Sequence, residues 1–466
     1  MNYFFETYGC QMNIAESAAL KQILKGRGWV AAESGEEADL VLLNTCSVRL
    51  TAETRALGRL DHYAALKKKR SAQGHSFVIV LAGCMAERLG ARIREKRGEI
   101  DYVMGTAARS LFPQILEEAE QGLAAGEFTA KKAFLASEGF QFSFSPSHIE
   151  EETGEGGPVR SFIPIMHGCN NFCSYCIVPY VRGPEISRSP ASILAETRLA
   201  GGKGIREITL LGQNVNSYNW VGGGLNEEGI DAGGFDFPGL LELVAGEAEQ
   251  TAVGWVRFLS SHPRDFSPRA VQVMADHPVF CRHLHLCVQH GADAVLKAMN
   301  RRYTREEYLE LVSAIRRAMP GITLSTDILV GFPGETEADL EATLSLMDEV
   351  KFLYAYMYHY NPREGTSAYT LPGRIPEQVK RRRLARVIEK QKQHTGELLR
   401  ARIGSREKVL IEGISRKNAD ELITRTEKDE TAVVRGKHSL IGRFAEITLA
   451  SLHGNTFRAE GLRIVD

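Results

Sequence analysis

His167-Gly168-Cys169-Asn170-Asn171-Phe172-Cys173-Ser174-Tyr175-Cys176 is the stretch on which the reading of this chain turns. It carries C-x3-C-x2-C directly after Arg160–Met166, a run that reads as a strand. Three thiolates this close can hold three irons of a [4Fe–4S] cube and leave the fourth iron open to an exogenous ligand. A structural zinc site is the competing reading. It usually needs a second cysteine pair or histidines at matching spacing, and neither follows here.

Working outward, residues 158 to 375 alternate strand and helix. The strand candidates are Arg160–Met166, Glu207–Leu211, Trp255–Leu259, His283–Val288, Ile322–Val330 and Leu353–Tyr360. Six strands with intervening helices predict a complete or partial (β/α) barrel. Gly222–Gly239 holds seven glycines and reads as a flexible insertion. Upstream, Tyr3–Tyr8, Asp39–Asn44, Phe77–Ala82 and Asp101–Met104 read as strands, with Asn13 capping the first helix. That βαβα order predicts a doubly wound parallel sheet over 1–120. Residues 121–157 lose periodicity and read as a linker, including Ser143–Pro146 and the acidic Glu150–Gly157. After the core at 158–392, five short alternating runs between Lys408 and Arg463 predict a small OB-like β-barrel over 398–466.

The eight cysteines carry the next signal. Cys10, Cys46 and Cys84 each follow one of the first three strands. In a doubly wound sheet the carboxyl ends of the strands border the ligand crevice. Three thiolates would therefore converge there, enough for a second cluster. Taken singly, each would be ordinary buried packing. Cys281 and Cys287 read as core or rim thiols. The 466 residues are 43% apolar and 25% charged, as in soluble globular protein, and hold no long apolar run. With no export signal at the start, a cytoplasmic monomer is expected, where clustered cysteines are metal ligands or catalysts. Net charge is −1, yet from Pro376 onward there are 20 basic against 13 acidic residues, leaving 37 against 45 before it. The densest run, Lys380-Arg381-Arg382-Arg383 with Arg386, Lys390 and Lys392, lies on a helical pattern. Leading into a basic β module, it points to a polyanion-binding surface rather than a merely solvated face.

The triad with an aromatic before its last cysteine resembles the radical S-adenosylmethionine (SAM) superfamily. Tyr8-Gly9-Cys10-Gln11-Met12-Asn13, Asn44-Thr45-Cys46-Ser47-Val48-Arg49 and Ala82-Gly83-Cys84 resemble the N-terminal motifs of its methylthiotransferases. The likeness continues through Val178–Gly183, Gly212–Asn216, Ser325–Glu335 and Tyr360–Arg363, covering essentially the whole chain, and its C-terminal part resembles a TRAM RNA-binding module. Gln11-Met12 stands where branches acting on a ribosomal-protein aspartate or on threonylcarbamoyladenosine carry Pro-Lys or Lys-Val. The match is to the branch that modifies isopentenyladenosine of tRNA. One departure stands out: Cys287-Val288-Gln289-His290-Gly291 replaces an expected Pro-Val-Gln-Ser-Gly.

The resemblance implies two [4Fe–4S] clusters. Cys169, Cys173 and Cys176 would generate a 5′-deoxyadenosyl radical from SAM, while Cys10, Cys46 and Cys84 would hold the cluster that carries sulfur. Two SAM molecules would be consumed per turnover, one to methylate the sulfur and one to take hydrogen from C2 of the adenine. Tyr175, Gln213, Ser260, Gln289, Asp327 and Glu335 would contact SAM, and Arg182 and Arg363 the substrate or the SAM carboxylate. The implied partners are a tRNA anticodon stem-loop, an external electron donor and a sulfur donor, with no membrane. A non-catalytic iron–sulfur RNA-binding protein is the alternative of a different class.

Overall fold

Leu40–Thr45 and Val78–Gly83 are buried at every residue, which requires cover on both faces and suits a parallel sheet between helices. A computed structural model describes residues 1–47, 50–125, 132–135, 144, 159–222 and 234–466. Val48, Arg49, the acidic Glu150–Gly157 and most of the glycine-rich insertion lie outside the described residues. The described residues form two compact units. One holds 1–135 with 167–170 and 177–185, and the other holds 159–166, 171–176 and everything from 186 on.

The first unit is a doubly wound sheet. Its strands are β1 (Asn2–Thr7), β2 (Val30–Ala31), β3 (Leu40–Thr45), β4 (Val78–Gly83), β5 (Tyr102–Met104) and β6 (Lys132–Phe134), in the order β2-β1-β3-β4-β5-β6. All pairings are parallel. Helices α1 (Gln11–Gly26), α2 (Leu50–Ser71), α3 (Cys84–Lys96) and α4 (Phe112–Ala125) alternate with them. Leu20, Leu24, Ile115 and Leu116 cover one face of the sheet, and Ala56, Leu60, Ala86 and Ile93 the other. The expected linker over 121–157 is corrected in part. α4 runs to Ala125, and β6 pairs with β5 to extend the sheet. Three residues of strand are too short to announce themselves by alternation.

The second unit begins with β7 (Arg160–Pro164); next in sequence come the short β8 (Met166–His167) and α5 (Val178–Arg182), of which His167 and α5 belong to the first unit, and then β9 (Ile186–Ser187) of the second. Then come β10 (Glu207–Leu211), a two-stranded β11 (Asn219–Trp220) and β12 (Phe235–Asp236), β13 (Trp255–Phe258), β14 (His283–His285), β15 (Thr323–Val330) and β16 (Tyr354–His359). Six of these form two parallel three-stranded sheets, β13-β10-β7 and β14-β15-β16. Parallel bridges at Val256–Phe280 and Ser261–Leu286 continue one sheet into the other. No pair joins β7 to β16 among the described residues, so the barrel is partial. Its helices are α6 (Pro190–Gly202), α7 (Phe237–Glu249), α8 (Pro268–Asp276), α9 (Asp293–Ala298), α10 (Arg305–Ala318), α11 (Glu337–Val350) and α12 (Glu377–Arg400). Gly239, expected in the flexible insertion, lies in the first turn of α7, where its N–H donates to the cap Asp236 at 2.9 Å.

The C-terminal strands β17 (Arg406–Ser415), β18 (Asn418–Thr426), β19 (Thr431–Arg435), β20 (Phe444–His453) and β21 (Thr456–Ile464) close into a barrel, β17-β18-β19-β21-β20. It shares a core with the larger barrel. Val159, Trp255, Cys281, Leu410 and Phe444 form one buried cluster, with the Trp255 and Phe444 rings edge to face at 5.0 Å. Arg257 reaches across to the carbonyls of Thr426 and Glu427, both at 2.9 Å.

The basic run on α12 is corrected as a polyanion surface. Lys380 is buried and donates to the Tyr360 carbonyl at 3.0 Å. Arg383 pairs with Glu335, Arg386 with Glu337 and Glu341, and Lys390 with Asp348, each at 2.5 to 2.9 Å. The charges mount α12 on the acidic face of α11. Of the seven, Arg382 and Lys392 are exposed without an ion-pair partner among the described residues.

Candidate active site

Three loops at the carboxyl end of the first unit's sheet each deliver one cysteine. Cys10 is the N-cap of α1, Cys46 follows β3, and Cys84 opens α3 directly after β4. Glycines let these loops close on one another. Gly9 has φ +149°, and a Cβ there would lie 2.7 Å from Cys46 Cβ. Gly83 has φ +92°, and a Cβ there would lie 2.5 Å from both Asn44 Oδ1 and the Thr45 carbonyl. Only glycine takes such positions without strain. Asn13, expected to cap α1, does so from the third helical position: in a capping box with the N-cap Cys10, its Oδ1 accepts from the Cys10 N–H at 3.4 Å and the thiol at 3.3 Å. Asn13 Nδ2 donates to Asn44 Oδ1 at 3.2 Å, and Asn44 Nδ2 donates to the Asn13 carbonyl at 3.0 Å, tying two of the loops together. Burial pushes the Cys84 thiol up to about 12 against the opposing pull of Arg182, while Cys46 and Cys10 push it the same way as burial. Both other thiols of the triad thus act on Cys84.

Beside these thiols lies a buried charge network that sequence reasoning missed. Glu16 Oε1 accepts from Arg182 Nη1 at 2.6 Å and pairs with Arg109 Nη1 at 3.1 Å. His167 Nδ1 stands 3.4 Å from the same Arg182 nitrogen. Burial first, and the two arginines next, hold His167 well below the usual imidazole range, so it is neutral. Two guanidiniums face one carboxylate in the interior, where charges demand partners. Arg182 Nη2 is buried with no hydrogen-bond partner among the described residues. Three cysteinates on an iron–sulfur cube would set negative charge near that cation, so the residues present fit such a group. Arg182, expected to contact the substrate or the SAM carboxylate, instead belongs to this network. In this unit Ile177 and Val181 also pack on Cys84, and the Cys169 N–H donates to the Gly183 carbonyl at 3.2 Å.

In the second unit, Cys173 and Cys176 share a turn closed by the Cys176 N–H on the Cys173 carbonyl at 2.9 Å. Buried Arg301 donates from Nη1 to Cys173 Sγ at 3.3 Å and from Nη2 to the Cys287 carbonyl at 2.7 Å. Sequence reasoning missed Arg301, because nothing in Arg301-Arg302-Tyr303 tells a buried arginine from a solvated one. Tyr175 packs against the cluster of Ala292, Met299, Phe332 and Tyr360, and burial raises its phenol well above the usual range.

The other expected SAM contacts separate into kinds. Ser260 and Gln289, just past β13 and β14, both hold φ +68°. Such a conformation strains a residue with a side chain and marks functional positions. Gln213 Oε1 is buried with no hydrogen-bond partner among the described residues. So are both amide atoms of Asn216, three residues on in the same motif, which the sequence does not single out. Asp327 stands beside His285 and Cys287. Glu335 is corrected as a SAM contact. Its carboxylate is sealed from solvent, accepting from the Phe332 N–H at 3.0 Å and from Arg383 at 2.9 Å. His290 explains one departure from the family pattern: it is fully buried, with Nδ1 accepting from the Ala292 N–H at 3.1 Å. Arg363 is buried, and its carbonyl accepts from Thr366 Oγ1 at 2.7 Å.

Residues 163–347 match the family model of the radical SAM superfamily, residues 2–105 that of the uncharacterized protein family UPF0004, and residues 400–462 that of the TRAM domain. The chain is thus a radical SAM protein with a C-terminal TRAM domain. A tRNA-2-methylthio-N(6)-dimethylallyladenosine synthase of Treponema denticola is 48% identical over 98% of this chain and 99% of its own length. One from Geobacter sulfurreducens is 40% identical over 98% of this chain and 96% of its own. The chain belongs to the family of these tRNA-2-methylthio-N(6)-dimethylallyladenosine synthases. In fold alone it resembles a radical SAM methyltransferase from Kitasatospora setae, with a TM-score of 0.58 at 13% identity, covering 79% of this chain and 77% of the other.

Proposed function

We propose that this chain is a radical SAM tRNA methylthiotransferase that places a methylthio group on C2 of N6-isopentenyladenosine beside the anticodon. The near-full-length identity to synthases of that modification carries the reading. Cys169, Cys173 and Cys176 hold one [4Fe–4S] cluster; Cys10, Cys46 and Cys84 hold a second that delivers sulfur. When bound, these groups and SAM supply one-electron chemistry and a carbon radical strong enough for an aromatic C–H bond. The chain's own residues bind and orient. Arg301 donates to Cys173 and steadies its thiolate. The positive charge of Arg182 does the same for Cys84. Gln213 and Asn216 offer buried amide atoms to SAM, beside Tyr175, Ser260 and Gln289, while Arg363 serves the substrate side.

The TRAM barrel holds tRNA phosphates, and the anticodon loop presents a base that can leave its stack. An external electron donor and a sulfur donor are required, since each turnover consumes an electron for SAM and a sulfur atom. The work is cytoplasmic, where tRNA is. No described helix is long and apolar enough to cross a membrane.

The test uses anaerobically reconstituted protein with dithionite, SAM and isopentenylated tRNA. About eight irons per chain, 5′-deoxyadenosine, and the 2-methylthio nucleoside by mass spectrometry are expected. Replacing Cys10, Cys46 and Cys84 by alanine should halve the iron, abolish methylthiolation and leave 5′-deoxyadenosine formation intact. No 5′-deoxyadenosine from fully loaded protein sinks the enzyme reading. Product on threonylcarbamoyladenosine or a ribosomal protein instead sinks the choice of substrate.

A further inference from the structure

His285, Cys287 and Asp327 lie outside both cysteine triads, and the proposed reaction leaves Cys287 without a role. Cys287 Sγ is 3.3 Å from His285 Nε2 and 3.6 Å from Asp327 Oδ2, and His285 Nε2 is 3.8 Å from the same carboxylate oxygen. A tetrahedral zinc with a Zn–S bond of about 2.3 Å and Zn–N and Zn–O bonds of about 2.0–2.2 Å sets its ligand atoms roughly 3.4–3.6 Å apart. The three atoms already stand at nearly those separations, on one face of one tetrahedron.

The imidazole is oriented for this task. His285 Nδ1 is 3.0 Å from Ser325 Oγ, whose other neighbour is His283 Nε2 at 2.9 Å; His283 Nδ1 in turn meets Thr323 Oγ1 at 2.8 Å. A hydrogen bond that fixes one ring nitrogen and leaves the other as a lone pair is the usual support of a metal-bound histidine. The Tyr356 ring meets His285 edge to face at 5.6 Å and limits its rotation. The backbone is held as well, with Arg301 and Tyr303 both donating to the Cys287 carbonyl. His285 is buried, while Cys287 and Asp327 are half-exposed, so an ion can enter and a fourth position stays open.

We propose that His285, Cys287 and Asp327 form a third metal site, for a borderline divalent cation such as zinc, with solvent as the fourth ligand. The donor set is one thiolate, one imidazole and one carboxylate, which suits zinc and excludes calcium and magnesium. On binding, Cys287 and His285 release their Sγ and Nε2 protons to solvent, leaving a thiolate and a neutral imidazole that gives its Nε2 lone pair. No electron is transferred. Thiolate and carboxylate together balance the charge of the ion. The site depends on Cys287, which stands where the family pattern carries proline, a residue that cannot ligate. Asp327 thereby passes from the SAM contacts to this cluster.

Full-length protein carrying its iron–sulfur clusters is equilibrated anaerobically with zinc and desalted. Iron and zinc are then counted by elemental mass spectrometry, and the zinc shell is read at the zinc X-ray absorption edge, where iron is invisible. One zinc per chain with a single sulfur neighbour and otherwise nitrogen or oxygen is expected. Cys287→Ala should weaken zinc binding at least tenfold with iron unchanged, and Asp327→Asn should weaken it less. Should Cys287→Ala lower the iron content, His285→Gln replaces it in the comparison. Wild-type protein without zinc overturns the proposal, as does zinc retained by these variants or a shell of sulfur alone, which would mean zinc in a cysteine triad. None of these readouts uses methylthiolation, so the site stands or falls separately from the proposed reaction.

Discussion

Arg301 and Arg182 are each a buried cation beside a cysteine of a different triad. A hydrogen bond from a cation to a cluster sulfur stabilises the reduced, more negative state. Arg301→Gln should therefore shift the potential of the barrel cluster to more negative values and slow 5′-deoxyadenosine formation, with the other cluster unmoved. A redox titration followed by electron paramagnetic resonance reads both at once; equal shifts in the two signals would refute the assignment. Arg182→Met removes one of the two guanidiniums on Glu16 and the positive charge beside Cys84. Iron should fall toward half while radical formation persists. The two cysteine triads could be proposed from the sequence because thiol spacing and position after strands are one-dimensional facts. Glu16, Arg109 and Arg301 were not, since an arginine reads as surface until a fold buries it. Arg182 was placed at the wrong site for a related reason: its motif follows the barrel cysteines in sequence but folds with the sheet domain.

Strand–glycine–cysteine–helix junctions deliver two members of the first triad, Cys10 and Cys84, while Cys46 follows Thr45 at the end of β3. Gly83→Ala would force a methyl into Asn44 and Thr45 at an unfavourable φ. The β4–α3 junction should open and displace Cys84, lowering iron to about four per chain with the barrel cluster intact. α12 gives a contrast between two arginines a single turn apart. Arg383 pairs with Glu335 out of solvent, and removing one partner of a buried pair costs about 3–5 kcal/mol. Arg386 pairs with Glu337 and Glu341 at the surface, where a pair contributes about 0–1 kcal/mol. Arg383→Ala should lower the urea midpoint clearly, and Arg386→Ala hardly at all. Equal effects would contradict the difference in burial between the two pairs. Strand order and helix alternation were readable from runs such as Leu40–Thr45, whereas β6 is too short to show a period, and the acidic partners of α12 belong to another helix.

At the scale of the molecule, the TRAM barrel's charge is largely internal. Arg425 pairs with Glu412, Arg458 with Glu421, and Arg463 with Glu446. One end differs. Arg416 and Lys417 in the β17–β18 turn, with Arg435 at the end of β19 and Lys437 just past it, are exposed and make no ion pair among the described residues. The Gly436 N–H on the Asp420 carbonyl and His438 on the Ala419 carbonyl bring those two segments together. Charge reversal at Arg416 and Lys417 should weaken tRNA binding and flatten its salt dependence, by about one unit of slope for each phosphate no longer neutralised. Filter binding across a salt series measures both, and an unchanged slope would place the RNA elsewhere. The sequence pointed correctly to a basic C-terminal fifth but put the free charge on α12, because counting charges does not count their partners.

The joint between the two barrels bears on how the substrate is measured out. Trp255, Cys281, Leu410 and Phe444 make it a piece of shared interior rather than a hinge. In the proposed function, a module mounted that way would act as a ruler, setting a fixed span between the phosphates it grips and the reacting base, so that the choice of nucleotide within the loop would be a matter of length. Small residues at Trp255 or Phe444 should blur that gauge, scattering the modification onto neighbouring adenosines before they reduce its total.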